Sequence, residues 1–546
     1  MFSSALLIAV MIVVSRLFGF FRYRTLSGLF TKEELDIFLA SFRIPDLVFE
    51  ILITGALTST IIPIFIKYQN DKRELSLNIS SIMNLILLLM SGLVVILYLA
   101  MDFVVPAITP GFSREKIEAI ILYSRLLLVG QLPFLIVGNF LTGIGQANKM
   151  FFLSAVGPIL YNVTIIIGSI IFSSRFFLLA PIFGVIIGAL LFVIVQLPIL
   201  TNSNFSYYFV LKKTTGMIEF FRVVVPRALT VVFAQIDATI DLILTTLLGA
   251  GSYTVFYFAQ HLQLLPVSVI GVAFGQASLP YLTEVYQAKK FEEFKKIVVD
   301  SVLNLFFFTI PIASFFIFAR TPLVRLFFGG PKFDWEATVS TAVTLSFFSL
   351  SLPFHTIYYF ITRCFYAFMD TKTPFLVSMV TIAINTILSI VFVMVFKLPV
   401  WFLAGSFSLA MILNVVFLFF LLSKRVGGLD IRLLIFESVK MFLATIIASV
   451  IVYYSMKFMD GLIFDTSYTI NVFFLLLTGT ILYSSLYLFL SWLLNVREIY
   501  LVTKLILKAK EYQKKIIFFY NLLIIFIIFN NEFMFLWLKR VLKFYF

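Results

Sequence analysis

The stretch Ile82–Leu99 reads IMNLILLLMSGLVVILYL. It carries no charge and a single amide, Asn84. The hydrocarbon core of a bilayer is about 30 Å thick and takes roughly 20 apolar residues as a helix. A helix on a soluble core would show a polar face, and this run has none. Comparable runs recur at Ala155–Phe172, Ile182–Leu200, Val302–Phe318, Phe375–Phe396 and Val472–Leu490, in a chain that is 61% hydrophobic. In lipid every backbone polar group must be satisfied within the segment, so repeated runs of this length mean helices. The expectation is an all-α, polytopic membrane protein, with room in 546 residues for about 14 transmembrane helices and short loops.

The net charge of +14 would suggest nucleic acid in a soluble protein. No basic, aromatic-interleaved soluble module exists here, so a nucleic-acid partner is not expected. Basic clusters fall instead at Lys72–Arg73, Lys212–Lys213, Lys289–Lys296, Lys424–Arg432 and Lys504–Lys515. With the N-terminus in the cytoplasm, the inner loops hold roughly twice the Lys and Arg of the outer ones. Both termini are therefore expected to be cytoplasmic. The first apolar run, Ser3–Val14, lacks a preceding basic segment and a small-residue cleavage site, and reads as a retained helix. One cysteine, Cys364, excludes an internal disulfide.

The chain repeats itself. Leu132-Pro133-Phe134, with Phe140-Leu141-Thr142 and Ala147, reappears as Leu352-Pro353-Phe354, with Phe360-Ile361-Thr362 and Ala367. Ala56-Leu57 with Pro63 parallels Ala273-Phe274 with Pro280. The two offsets agree to within three residues. The pattern predicts two six-helix lobes, 1–212 and 213–425, with a substrate site between them. Two additional helices follow in 426–496. Residues 497–546 form a basic linker and an apolar C-terminal extension. Asn530-Asn531-Glu532 interrupts its apolar part, Ile516–Leu538, so an interfacial helix or re-entrant hairpin is expected there.

Enzyme constellations are absent: two isolated histidines, no phosphate loop, and no magnesium-binding carboxylate set. The chain is not expected to be an enzyme, and no cofactor or metal is expected. Ionisable residues inside spans are costly and usually face a cavity or a partner. They cluster as Arg16, Arg22 and Arg24 on the first helix and Asp36, Arg43, Asp46 and Glu50 on the second. Arginine's planar fork suits phosphate oxygens, so these arginines are read as a wall for an anion. The plainer reading is helix–helix ion pairing, with Arg22 and Arg24 snorkelling. Asp237 and Asp241 lie one turn apart on the seventh helix, and Asn385 is a polar residue on the eleventh. A buried carboxylate of this kind suits Na⁺ or proton coupling, or else an ion pair with Arg227 or Arg363.

Ser15-Arg16-Leu17-Phe18-Gly19-Phe20-Phe21-Arg22 resembles the opening signature of the MurJ (MviN) lipid II flippases, within the multidrug/oligosaccharidyl-lipid/polysaccharide exporter superfamily. So do Leu35-Asp36 with Phe42-Arg43-Ile44-Pro45, Gly55-Ala56 with Pro63, Gly271-Val272-Ala273 with Leu279-Pro280, and Asp370-Thr371-Lys372-Thr373-Pro374. The resemblance covers about residues 1–500. It implies two six-helix lobes and two last helices that form a lipid-tail groove. It also implies a function: moving lipid II, an undecaprenyl-diphosphate-linked disaccharide-pentapeptide, from the inner to the outer leaflet of the bacterial plasma membrane for peptidoglycan synthesis. By position, Arg16, Arg22 and Asp36 match residues the family needs. Asp241 matches a carboxylate implicated in Na⁺ binding. Phe49 and Gln260-His261 depart from positions that are often charged, which marks a divergent branch. Arg43 and protonated His261 would replace the lost cations, so the implied substrate-binding set is Arg16, Arg22, Arg24, Asp36, Arg43 and His261. The residues alone leave open a polysaccharide-lipid flippase, a drug or cation antiporter of the same plan, and a non-transporting cell-wall scaffold.

Overall fold

In a computed structural model, the described residues are 2–51, 57–203 and 205–502. They form helices and, apart from two isolated bridges at Gly330–Phe333 and Asp460–Phe464, no β pairing. The expected C-terminal extension lies beyond 502 and so outside the described residues, apart from its first few positions.

The first half comprises α1 (Phe2–Leu29), α2 (Lys32–Ser41), α3 (Arg43–Phe49), α4 (Leu57–Tyr68), α5 (Lys72–Ile108), α6 (Arg114–Gly130), α7 (Leu132–Ala147), α8 (Phe151–Phe176), α9 (Leu179–Ile194) and α10 (Pro198–Asn202). The second half begins with α11 (Thr215–Leu247), α12 (Ser252–Pro266), α13 (Ala273–Gln287), α14 (Phe291–Phe318) and α15 (Arg320–Phe328). It continues with α16 (Trp335–Ala367), α17 (Lys372–Ile390) and α18 (Trp401–Val426). Finally α19 (Ile431–Met459) and α20 (Thr469–Leu493) form a hairpin.

Eleven helices among the described residues are long and apolar enough to cross a membrane. Their apolar side chains point outward as often as inward. On α5, for example, Leu88, Leu89, Val95, Ile96, Leu99 and Phe103 are all exposed. In water that surface would drive aggregation; in lipid it costs nothing, because acyl chains are as apolar as leucine. Helix contact therefore relies on close packing. The α8–α9 pair is an example: a Cβ at Gly184 would stand 2.9 Å from the Ile165 Cα and the Thr164 carbonyl oxygen. Only glycine allows that approach.

Two of the helix breaks lie at prolines. Pro133 opens α7 just after the turn at Gln131, and Pro266 is followed by a wide π-helical turn, Val267–Val272, that joins α12 to α13. Such turns leave backbone groups to be satisfied by neighbours and often mark functional positions. The long helix α16 is the axle of the second half and packs on α12, α13, α14, α15 and α18. Its side chains Phe348, Leu352, Phe360 and Ile361 are fully buried.

The halves meet where α2 packs on α12, α1 on α15, and α11 on α4 and α5. The connection between them is an extended strap along α5. The Ser206 and Tyr208 amides donate to Ser76 and Ser80 hydroxyls at 2.9 Å, and the Asn84 amide donates to the Tyr208 and Val210 carbonyls at 2.9 Å. Serines and an asparagine one turn apart on a membrane helix thus satisfy a backbone that has no strand partner.

Candidate functional site

The charged face of α1 to α3 does not act as one surface. Asp36 is fully buried, and its carboxylate closes the N-terminus of α12. It accepts from the Gly251 amide at 2.5 Å and from both the amide and the hydroxyl of Thr254 at 2.8 Å. Orphan amides and the positive end of a helix dipole make this a favourable place for a carboxylate. Arg24 is likewise engaged. Its guanidinium donates to the carbonyls of Arg325 and Leu326 at 2.9 and 2.7 Å, and to the Thr469 hydroxyl at 2.8 Å. It fastens α1 to α15 and to the start of α20.

Arg43 reaches across to α11. It donates to the Gln235 side-chain oxygen at 2.6 Å and to the Thr239 hydroxyl at 3.0 Å. Glu50 accepts from the Gln235 amide group, so one glutamine joins Arg43 and Glu50. Asp46, on the same face, lies within electrostatic reach of Arg43 and Arg22.

Arg22 and Arg16 remain less engaged. Arg16 is exposed. Arg22 lies 4.5 Å from the centre of the Tyr23 ring, and its buried Nε has no hydrogen-bond partner among the described residues. Around it stand Tyr23, Tyr161, Tyr257 and His261, with Gln131 bonded to Tyr161 at 3.1 Å. His261 stacks on Tyr257 at 4.0 Å and bonds the Tyr257 carbonyl at 3.0 Å. Phe49, at a position that the resemblance marks as often charged, packs against the hydrophobic core.

The acidic pair on α11 lies beside this network, with Asp241 within electrostatic reach of Arg43. Asp241 is buried, and Asp237 accepts from the Asn385 amide at 3.1 Å. The structure thus brings Asn385 to Asp237, its neighbour one turn before Asp241. The Asn385 side-chain oxygen is buried with no partner among the described residues; its amide holds Asp237, which lies within electrostatic reach of Asp241. An orphan oxygen next to carboxylate oxygens suits a small hard cation or a proton. Among the described residues no group of three or more His, Cys, Asp or Glu could hold a metal ion. Arg363 lies over the Tyr366 ring, 5.2 Å from its centre.

A large apolar groove of about 1180 Å³ opens between α14, α16, α18 and α19. Phe306, Ile310, Phe354, Phe419 and Phe442 line it, and Lys424 stands at one end.

The family model for the lipid II flippase MurJ matches residues 27–474. The chain belongs to the MurJ family. Among curated proteins it is 27% identical to a probable lipid II flippase MurJ of Bdellovibrio bacteriovorus, over 81% of this chain and 86% of that one. It is 24% identical to the counterpart in Borreliella burgdorferi, over 88% and 94%. It is 27% identical to the lipid II flippase MurJ of Thermosipho africanus, over 76% and 85%. Among solved structures it superposes on a lipid II flippase MurJ in an inward closed conformation with a TM-score of 0.72. That match covers 89% of this chain and 99% of that one, at 24% identity. An inward-facing multidrug transporter of the MATE family matches with a TM-score of 0.65 at 14% identity, over 76% and 94%. The MurJ match accounts for the expected exporter-like helical plan.

Tyr23, Tyr161, Tyr257, Gln131, Gln235 and Thr239 did not stand out in the sequence. Tyrosine is common near the ends of membrane helices, and the partners of these side chains lie far away in the chain. The one local signal was spacing: Tyr257 and His261, like Gln235 and Thr239, are one turn apart.

Proposed function

We propose that this chain flips lipid II from the inner to the outer leaflet of a bacterial plasma membrane by alternating access. The observation that carries the reading is the MurJ family match across residues 27–474, joined to Arg16 and Arg22 of α1, which have no ion-pair partner among the described residues. Fourteen crossings, with both termini cytoplasmic, fit the distribution of Lys and Arg. On this reading the lobes are 1–212 and 213–425, and the headgroup enters between them.

Arg22 and Arg16 offset the desolvation of the diphosphate, and His261 adds a cation when protonated. Arg24, Asp36 and Arg43 act at one remove: their bonds to α12, α11, α15 and α20 shape the cavity. The apolar groove beside α19 takes the first part of the lipid tail, with Lys424 level with the headgroups. Asp237, Asp241 and Asn385 bind the coupling Na⁺ or proton. The protein works as a transporter and forms no covalent intermediate. A drug antiporter of the same plan is disfavoured by the arginines, and a scaffold by the built groove.

The test is complementation. Cells depleted of their own lipid II flippase should regain growth and shape when this chain is expressed. Correct insertion without rescue, together with no lipid II translocation in liposomes, would overturn the reading.

A further inference from the structure

The seam between the halves is shut at the end of the bundle opposite the N-terminus. Three layers close it. Outermost, Lys32 stands 3.6 Å from Asp334 and 3.5 Å from Glu336, and a Cβ at Gly330 would lie 2.6 Å from the Gly28 Cα. Below it sits the Asp36 cap on α12. Innermost is an aromatic layer. Tyr23 of α1 inserts edge-on among Tyr257, Phe258, His261 and Phe328 at centroid distances of 5.5 to 6.5 Å, and Phe258 stacks on Phe328 at 4.2 Å.

That aromatic layer has one polar element. The Tyr23 and Tyr257 hydroxyls meet at 3.0 Å, and each could be the donor. Two hydroxyls facing each other use one O–H and leave the second without an acceptor among the described residues. Beside them the buried Arg22 Nε–H is also unpartnered. An unused guanidinium donor and an unused hydroxyl donor therefore stand within electrostatic reach of each other. Donors without acceptors in a low-dielectric site favour an anion, since leaving them unpaired is itself costly.

We propose that the hydroxyls of Tyr23 and Tyr257 are ligands for phosphoryl oxygens of the cargo, and that giving them up to the cargo unfastens the seal. The bridge is the only hydrogen bond within the aromatic layer that crosses from α1 to α12 among the described residues. A phosphoryl oxygen is a stronger acceptor than a phenol oxygen. Once both O–H groups turn to it, nothing polar holds Tyr23 against α12. Recognition of the headgroup and release of the far end then become one event, and an empty transporter stays shut there. The inference rests on the lipid II reading above.

The test uses full-length protein in nanodiscs, with Lys32→Cys and Asp334→Cys as a cross-linking pair across the outermost layer and Cys364→Ser as background. Empty parent protein should cross-link readily, and added lipid II should lower the yield. Undecaprenol, which lacks phosphate, should not. Tyr23→Phe and Tyr257→Phe keep ring volume and remove the bridge. Each should shift the closed-to-open ratio by about fivefold without lipid II, the equivalent of one net hydrogen bond. Added lipid II should then change the yield little. Matching thermal unfolding shows that the variants are folded. Yields and lipid II responses equal to the parent's in both variants would overturn the proposal. A parent whose cross-linking ignores lipid II, while liposome flipping proceeds, would also overturn it and leave the function standing. Absence of flipping by the parent would remove the function and the proposal together.

Discussion

Asp36 and Thr254 lie 218 positions apart, and one carboxylate oxygen of the first takes both the backbone amide and the hydroxyl of the second, each at 2.8 Å. The other oxygen takes the Gly251 amide. A residue that reads in sequence as a cavity acid is therefore a helix cap placed across the seam of the molecule.

From that geometry, Asp36→Ala should destabilise the fold by about 2 kcal/mol or more, the combined scale of a lost cap and of buried donors left unpaired. Asp36→Asn should recover only part of this, because its NH₂ group would face an amide donor. Thermal unfolding in detergent measures both, and an Asp36→Ala protein as stable as the parent would show the cap to be dispensable.

Arg16→Ala and Arg22→Ala should abolish complementation while membrane insertion and unfolding temperature stay near the parent's. Arg16 is exposed, and Arg22, although it sits over the Tyr23 ring, makes no hydrogen bond or ion pair to another helix among the described residues. Growth of both variants at the normal rate would remove the arginines from the transport site.

Arg24→Ala has a different expected phenotype. It frees two carbonyls of α15 and the Thr469 hydroxyl, so the turn between α19 and α20 should become more sensitive to added protease. Binding of lipid II should persist. Unchanged cleavage with lost binding would return Arg24 to the substrate site.

For coupling, Asp237→Asn, Asp241→Asn and Asn385→Ala should each stop transport or free it from its Na⁺ or proton gradient. Flipping in liposomes with an imposed gradient of one ion at a time checks this. Transport that keeps full gradient dependence in all three variants would make the cluster structural.

Asp370, in the turn before α17, supplies a pH prediction. Partial burial alone would raise its pKa, but bonds from the Thr373 amide and hydroxyl and from Arg425 outweigh it and hold the carboxyl below its ordinary value. A lowered folded pKa stabilises above the unfolded value, about 3.9, and that contribution is lost as pH falls through the folded value. Asp370→Asn should therefore flatten the acid limb of the stability curve below about pH 4 and change its shape little at neutral pH. Parallel acid limbs for parent and variant would contradict this.

The membrane class was legible because apolar length is a local property: Ile82–Leu99 needs no partner to be read. Eleven of the expected crossings have helices that satisfy length and composition. The helix breaks near Pro133 and Pro266 were also local. The roles of the charges were not. Arg24, Asp36 and Arg43 look alike in sequence, as charges in apolar helices, yet each is answered by atoms roughly 200 to 450 positions away. Tyr23 and Tyr257 were invisible for the same reason: a hydroxyl becomes notable only when its partner is known. Asn385 was picked out as polar, but its pairing with Asp237 over Asp241 depends on how α17 turns against α11.

The strap along α5 carries a constraint of register. Ser76, Ser80 and Asn84 stand one turn apart and take, in that order, the Ser206 amide, the Tyr208 amide and the Tyr208 and Val210 carbonyls, with the Tyr207 hydroxyl on Asn84 as well. The Val210 amide turns back to the Tyr208 carbonyl at 2.9 Å, so the chain bends there and Phe209 is left 95% exposed. Inserting a residue between Ser206 and Tyr208 would keep the first amide on Ser76 and carry the second past Ser80, so the spacing of the tether is set by the pitch of the helix beneath it.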